Sequence, residues 1–394
     1  MATSYRNIFL LALCQALLLT NASGLISMNA LVGYSLVDAK TIATLGATTY
    51  VLGSALSTMP MSLWMAKVGR RRGFMTGALI NVGGCALAAS ALYFANFALF
   101  CVATAIIGIY NAVGLQYRFA ATEVAAPADK ARAISLVLAG GIGGGFLGPA
   151  LSGWGRDWFA TPFVGSFVLL AGVALVAFAV QSLVRVPKPA PIESVGSGRP
   201  LRMIIRQPVF FVAALSGGLG YGLMNLLMTA TPLAMSFCSL PYVQAAFVIQ
   251  WHVVGMYAPG FVTGGLIKRF GVLNVILAGV LIMASGAVVA LNGNTFAHFV
   301  TALALVGAGW NFMYTGGTAL LMEAYRPGEK ARTQGAHDLF MFSVMGVSSF
   351  SSGALVSAAG WETMNIAVLP LLAFIAGAVV WYARRSTGAP VRSA

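Results

Sequence analysis

The sequence predicts an all-α membrane protein: twelve transmembrane helices in two parallel six-helix bundles. Three observations lead there. Of 394 residues, 59% are hydrophobic and 8% charged, against roughly 25% charged in soluble domains. Long runs carry no charge, among them 73–117, 207–267 and 270–322. The segment Glu123-Val-Ala-Ala-Pro127-Ala-Asp129-Lys130-Ala131-Arg132 returns 200 residues later as Glu323-Ala-Tyr-Arg-Pro327-Gly-Glu329-Lys330-Ala331-Arg332. A fixed-period echo of this kind marks one structural unit used twice.

A bilayer span needs about 20 apolar residues. The runs are continuous rather than alternating, so they predict helices and not barrel strands. In the first half, spans are expected near 7–33, 41–66, 73–93, 97–122, 131–154 and 160–185. Asn96 divides the long run that holds the third and fourth. Val186–Arg206 follows, with Pro187, Pro189, Pro191, Gly196, Gly198 and Pro200. Such a stretch reads as a linker. The second set is expected near 207–234, 242–267, 271–291, 296–324, 330–358 and 363–383. Ser239-Leu240-Pro241 and Asn292-Gly293-Asn294 mark its first turns. Three units result: a bundle over 1–186, a linker over 187–206 and a bundle over 207–394.

Charge placement orients the chain. Of the 23 Lys and Arg residues, only Lys40 and Arg156 fall on the far side, and Arg118 lies within a span. The others flank the linker-side ends, and this positive-inside asymmetry puts both termini in the cytoplasm. The net charge of +14 is thereby explained without nucleic acid. The four cysteines are scattered and suggest neither a disulfide framework nor a metal site.

Six helices per repeat return each half to its starting side, so the halves run parallel. That architecture points to a secondary transporter with its site near the midplane. Local motifs agree. Ser62-Leu63-Trp64-Met65-Ala66-Lys67-Val68-Gly69-Arg70-Arg71-Arg72 resembles the signature loop of the major facilitator superfamily. Gly69, Arg70 and Arg71 match; Ala66 stands at the expected aspartate. Its counterpart, Gly264-Gly265-Leu266-Ile267-Lys268-Arg269-Phe270-Gly271, has Lys268 there. Gly144-Gly145-Phe146-Leu147-Gly148-Pro149-Ala150-Leu151-Ser152-Gly153 is similar to a motif of exporting antiporters in that family. Gly148 and Pro149 are equally explained as close packing and a helix bend. Gln250-Trp251-His252 with Gly255-Met256-Tyr257-Ala258-Pro259 resembles a proteobacterial branch that includes proposed riboflavin importers.

The resemblance implies alternating-access transport of a small organic solute across a bacterial inner membrane, coupled to protons. A multidrug or metabolite exporter and a riboflavin-like uptake permease are the alternatives. The chain is expected to be a monomer, with no cofactor, metal or nucleic acid. No nucleotide loop or paired catalytic carboxylates suggest an enzyme or an ATP-driven pump.

Charged and polar groups within spans are the candidate site. Thr104, Asn111 and Arg118 are spaced by seven and share a face. Asn311, Thr315 and Thr318 answer them in the tenth span. The functional reading is a central cavity; the alternative is hydrogen bonding between buried helices. Asn21 and Ser27 of the first span, and Tyr221, Asn225 and Thr229 of the seventh, are expected to complete it. Tyr110, Trp251 and Trp310 could stack on a planar substrate. His252 and Asp338, beside His337, are the proton-coupling candidates, imidazole titrating in the physiological range. Arg118 is expected either to pair with Asp338 when the protein faces outward or to anchor an anion. Glu123, Arg132, Glu323 and Arg332, with Lys130 and Lys330, are read as ion-pair hubs of the gate.

Overall fold

The computed structural model describes residues 2–126, 130–186, 198–326 and 329–387. Among these, every regular element is helical. The first half comprises α1 (Ala2–Leu36), α2 (Leu45–Val68), α3 (Arg70–Tyr93), α4 (Phe97–Gly114 continued by Tyr117–Val124), α5 (Lys130–Gly155) and α6 (Val164–Ser182). The second comprises α7 (Pro208–Phe237), α8 (Tyr242–Tyr257 and Gly260–Phe270), α9 (Val272–Leu291) and α10 (Phe296–Leu321). A last helical stretch, Lys330–Thr387, holds two spans that meet at Gly360 (φ 81°). These are α11, 330–359, and α12, 361–387. A short helix, Leu201–Ile205, ends the linker.

The breaks follow local chemistry. Gly69 and Gly271 separate α2 from α3 and α8 from α9 with nearly the same backbone, φ 93° and ψ 153° against φ 83° and ψ 152°. Positive φ is cheap only for glycine, so the two signature loops share one turn. Pro259 interrupts α8, as the missing N–H of a mid-helix proline predicts. The α4 helix departs from the continuous span expected over 97–122, turning at Leu115 and Gln116. The α7 helix contains a π-helical turn, Leu215–Leu219, which the sequence reading did not anticipate.

Glycines set the closest helix pairs. A Cβ on Gly144 or Gly148 would strike the α1 backbone at Ala16 O or Thr20 O. Gly140 meets Ala12 O in the same way. This four-residue stripe seats α5 on α1, and Ser23 Oγ donates to Gly144 O at 3.0 Å across it. Small residues are what let helices approach so closely in lipid. The glycine motif of α5 is therefore accounted for by packing.

The halves join on the side opposite the linker. Ser27 Oγ of α1 shares a hydrogen bond with the Tyr242 hydroxyl of α8 at 2.8 Å. Thr44 Oγ1, at the start of α2, donates to Ser349 O of α11 at 2.8 Å and accepts from Gly353 N at 3.0 Å. Gln250 Nε2 donates to Phe146 O at 2.8 Å. The Phe163 and Tyr242 rings meet edge-on at 5.1 Å, and Tyr34 and Phe237 at 5.6 Å. All of these residues lie in the half of their spans away from the linker.

Candidate functional site

An aromatic box occupies the seam between the halves. The Trp310 and Tyr314 rings, one helical turn apart on α10, stack with centroids 5.0 Å apart and planes 11° from parallel. Tyr221 of α7 tilts against both, at 5.0 and 5.6 Å. Tyr257 of α8 meets Trp310 edge-on at 6.4 Å. Tyr50 of α2 lies within electrostatic reach of Tyr221 and Tyr257 and brings the first half to the box. Tyr221 and Tyr314 pack against the hydrophobic clusters of both halves. Among the described residues, no hydrogen bond engages the hydroxyls of Tyr50, Tyr221, Tyr257 or Tyr314.

Two buried donors border this box. Trp310, 5% exposed, has an indole N–H buried without an acceptor among the described residues. Arg118 Nε is likewise buried and unpartnered. The Arg118 guanidinium lies over the Phe119 ring at 4.9 Å and within electrostatic reach of Tyr257. Buried donors without acceptors are rare, because each costs about 1–3 kcal/mol in lost hydration.

The asparagines have a different placement from the one expected. Asn111 Nδ2 donates to Ser54 Oγ at 3.0 Å, tying α4 to α2. In the other half, Asn311 accepts from Thr263 Oγ1 and donates to Met256 O, both at 2.7 Å, tying α10 to α8. The echoed asparagines thus do the same work in each half: they are clasps between helices. Thr104 adds a second α2–α4 link, its hydroxyl sharing a hydrogen bond with Thr49 at 2.7 Å. Asn21 accepts from Asn81 Nδ2 of α3 at 2.9 Å and is 2% exposed. Asn225 Nδ2 is held on α11 by Ser348 and Ser349 Oγ, at 2.9 and 2.7 Å. These amides are engaged by protein groups, so the substrate-facing expectation for Asn21, Asn111, Asn225 and Asn311 gives way to interhelical bonding. A polar residue in an apolar span is costly unless bonded, and the neighbouring helix supplies the nearest partner.

Tyr110 is also displaced from the expected surface. It is 1% exposed, and Gln181 of α6 bonds its hydroxyl and that of Tyr117. Trp251 is 41% exposed and meets Phe146 and Phe247 at 6.1 and 6.2 Å, apart from the box. Of the aromatics singled out from sequence, Tyr221 and Trp310 come together. Tyr50, Tyr257 and Tyr314 were missed as site residues, although Trp310 and Tyr314 carry the four-residue spacing that could have paired them.

His252 is fully buried, and its Nδ1 donates to Leu303 O at 2.7 Å. Asp338 is 55% exposed, with His337 Nδ1 at 3.4 Å. Arg118 and Asp338 are not paired in this conformation.

The gate residues are bonded within their own halves. Glu123 holds Arg70 of the α2–α3 turn, 2.7 Å from Nη2 and 3.3 Å from Nε, and Arg70 Nη1 also donates to Gln116 at 2.9 Å. The expected partners were Lys130 and Arg132; the Arg132 side chain lies outside the described residues, as do those of Lys130 and Lys330. Arg71 has no bond drawn to this cluster. In the second half Glu323 is exposed and makes no ion pair among the described residues. Its neighbour Glu329, 1% exposed, takes the role instead. Glu329 accepts from Arg199 N at 2.7 Å, Arg199 Nη2 at 2.8 Å and Arg326 N at 3.0 Å. Arg199 Nη2 and Gln207 Nε2 further donate to Ala324 O, fastening the linker to the α10–α11 turn. Hydrogen bonding to the charged form holds the Glu329 carboxyl well below the usual carboxylate range, Arg199 being the main cause. Arg332 packs against Gly198: a Cβ there would strike its guanidinium.

Residues 8–258 match the family model described as Major Facilitator Superfamily. A riboflavin transporter, RfnT, of Brucella anthropi is 39% identical over 375 residues, covering 94% of each chain. An uncharacterized MFS-type transporter of Bacillus subtilis, YddS, is 27% identical over 91% of this chain and 87% of its own. A solved bacterial homologue of the human lysosomal transporter Spinster, in an inward-facing and unoccupied conformation, superposes with a TM-score of 0.72 at 15% identity, covering 97% of both chains. Ten apolar stretches long enough to cross a membrane are present among the described residues, one of them the double span 332–385. With this fold and these relatives, the chain is a membrane transporter, not an enzyme, and belongs to the Major Facilitator Superfamily.

Proposed function

We propose that the protein carries a planar organic solute, riboflavin or a close relative, across the cytoplasmic membrane of a bacterium by alternating access. The observation that carries this reading is the aromatic box at the seam. Five aromatic residues from α2, α7, α8 and α10 converge there, and four keep hydroxyls without protein partners. Aromatic faces suit a flat ring, and hydroxyls suit its polar edge. The likeness to the Brucella riboflavin transporter selects the flavin among flat rings. The bonds between the halves, all opposite the linker, fit one end state of a rocking cycle.

Proton coupling belongs to the same proposal. Of the two candidates, Asp338 is open to water, whereas His252 is sealed and bonded to Leu303. Asp338 is therefore the proposed proton carrier. The glycine motif that raised the exporter reading is satisfied by helix packing and selects no direction.

Riboflavin uptake into proteoliposomes, with and without a pH gradient, tests both parts. Gradient-stimulated uptake that Asp338→Asn uncouples is the expected result. No uptake by wild-type protein in either orientation would refute flavin transport; uptake indifferent to the gradient would refute proton coupling.

A further inference from the structure

The box has two features that stacking alone does not use: the orphaned N–H groups of Trp310 and Arg118. They come from opposite halves of the molecule, α10 and α4. Tyr257 stands between them, meeting Trp310 at 6.4 Å and lying within electrostatic reach of Arg118. Neither N–H has an acceptor among the described residues, although both are buried. The polar groups nearby offer little alternative. Asn111 and Asn311 are engaged by α2 and α8, and the Arg118 guanidinium rests on Phe119. Elsewhere in the molecule, buried amides are matched to partners with care, Asn225 making three such bonds. Two unmatched donors beside an aromatic surface read as groups waiting for acceptors that the ligand brings.

We propose that Trp310 Nε1 and Arg118 Nε are the specificity donors of the site, holding the carbonyl edge of a planar heterocyclic dione stacked in the aromatic box. This rests on the site reading given above. It adds a distinction that reading does not contain: the ring's dione edge, and not a polyol side chain, supplies the recognition. A ligand lacking acceptors leaves both donors buried and unpaired, which is the costly case in polar recognition. Because the donors sit on different halves, a bound dione would also bridge α4 and α10.

Equilibrium dialysis of the purified full-length protein against three ligands tests this. Riboflavin carries ring, dione and polyol. Lumichrome keeps ring and dione without the polyol. Phenazine keeps a tricyclic ring without the dione. The expected result is similar affinity for riboflavin and lumichrome, and affinity for phenazine weaker by about tenfold or more, one lost buried hydrogen bond being worth about that factor. Trp310→Phe, which keeps a ring and deletes the N–H, should weaken lumichrome binding about tenfold and leave phenazine unchanged. Arg118→Gln should act in the same direction. The ligand comparison uses wild-type protein alone, so it stands even if a variant fails to fold. Equal binding of lumichrome and phenazine overturns the donor assignment while leaving flavin transport intact. Lumichrome binding that both variants weaken, with no riboflavin transport, upholds the donors and refutes the flavin reading. Binding of none of the three ligands overturns both.

Discussion

Replacing Gly148 by alanine puts a methyl group where the α1 backbone already lies. The added Cβ would strike Ser23 Oγ and Thr20 O and come within 2.6 Å of Gly24 N. Two of those atoms are backbone, so no side-chain rotation relieves the contact, and α1 and α5 must separate. Overpacking of this kind costs about 1–3 kcal/mol. Alanine also gains about 1 kcal/mol over glycine in helix propensity. Gly143, on the same helix, has nothing within 4 Å of its added Cβ, so Gly143→Ala takes the propensity gain without the clash. The difference between the two variants isolates the packing cost, about 1–3 kcal/mol. Thermal unfolding of both variants in the same detergent measures it, Gly148→Ala being the less stable. Equal stability of the two variants, within about 0.5 kcal/mol, would refute the close-packed stripe as the reason for the glycines of α5.

Three further outcomes follow from the geometry. Asn311→Ala removes two hydrogen bonds and Asn111→Ala one, so Asn311→Ala should destabilise more, by about 0.5–1.5 kcal/mol for the extra bond, read by the same unfolding assay. Glu329 has a depressed folded-state pKa, so its contribution is complete above the ordinary carboxylate value of about 4.3. That contribution is lost as pH falls below that value through the lower folded one. The stability gap between wild type and Glu329→Gln should therefore be flat above about pH 5 and narrow in stronger acid. Arg70→Ala should cost about 1 kcal/mol, since its pair with Glu123 is partly exposed; the charge-swapped double variant should recover part of the loss.

How much was legible in the sequence depended on the range of the interaction. The turn glycines Gly69 and Gly271 were readable because a positive φ is a property of one residue. The duplicated asparagines were readable as a pair, but not their use. Whether Asn111 faces a cavity or Ser54 depends on how α2 lies against α4, and a 3.6-residue period is silent on that. The ion pairs failed for the same reason. Glu123 has Lys130 and Arg132 close in sequence, yet Arg70, 53 residues away, reaches it across a turn. In the second half Glu329 displaced Glu323 because Arg199 returns from the linker.

The sequence by itself determined that this chain lives in lipid, that it spans the membrane in two equivalent sets of helices, and where those helices turn. Those properties follow from local hydrophobicity, charge and backbone preference. Only the tertiary structure decided which polar groups remain free. Helix packing assigned acceptors to Asn21, Asn225 and Asn311 and withheld them from Trp310 and Arg118. A hydrogen bond is satisfied at about 3 Å, and which groups come that close is settled by the meeting of surfaces distant in sequence.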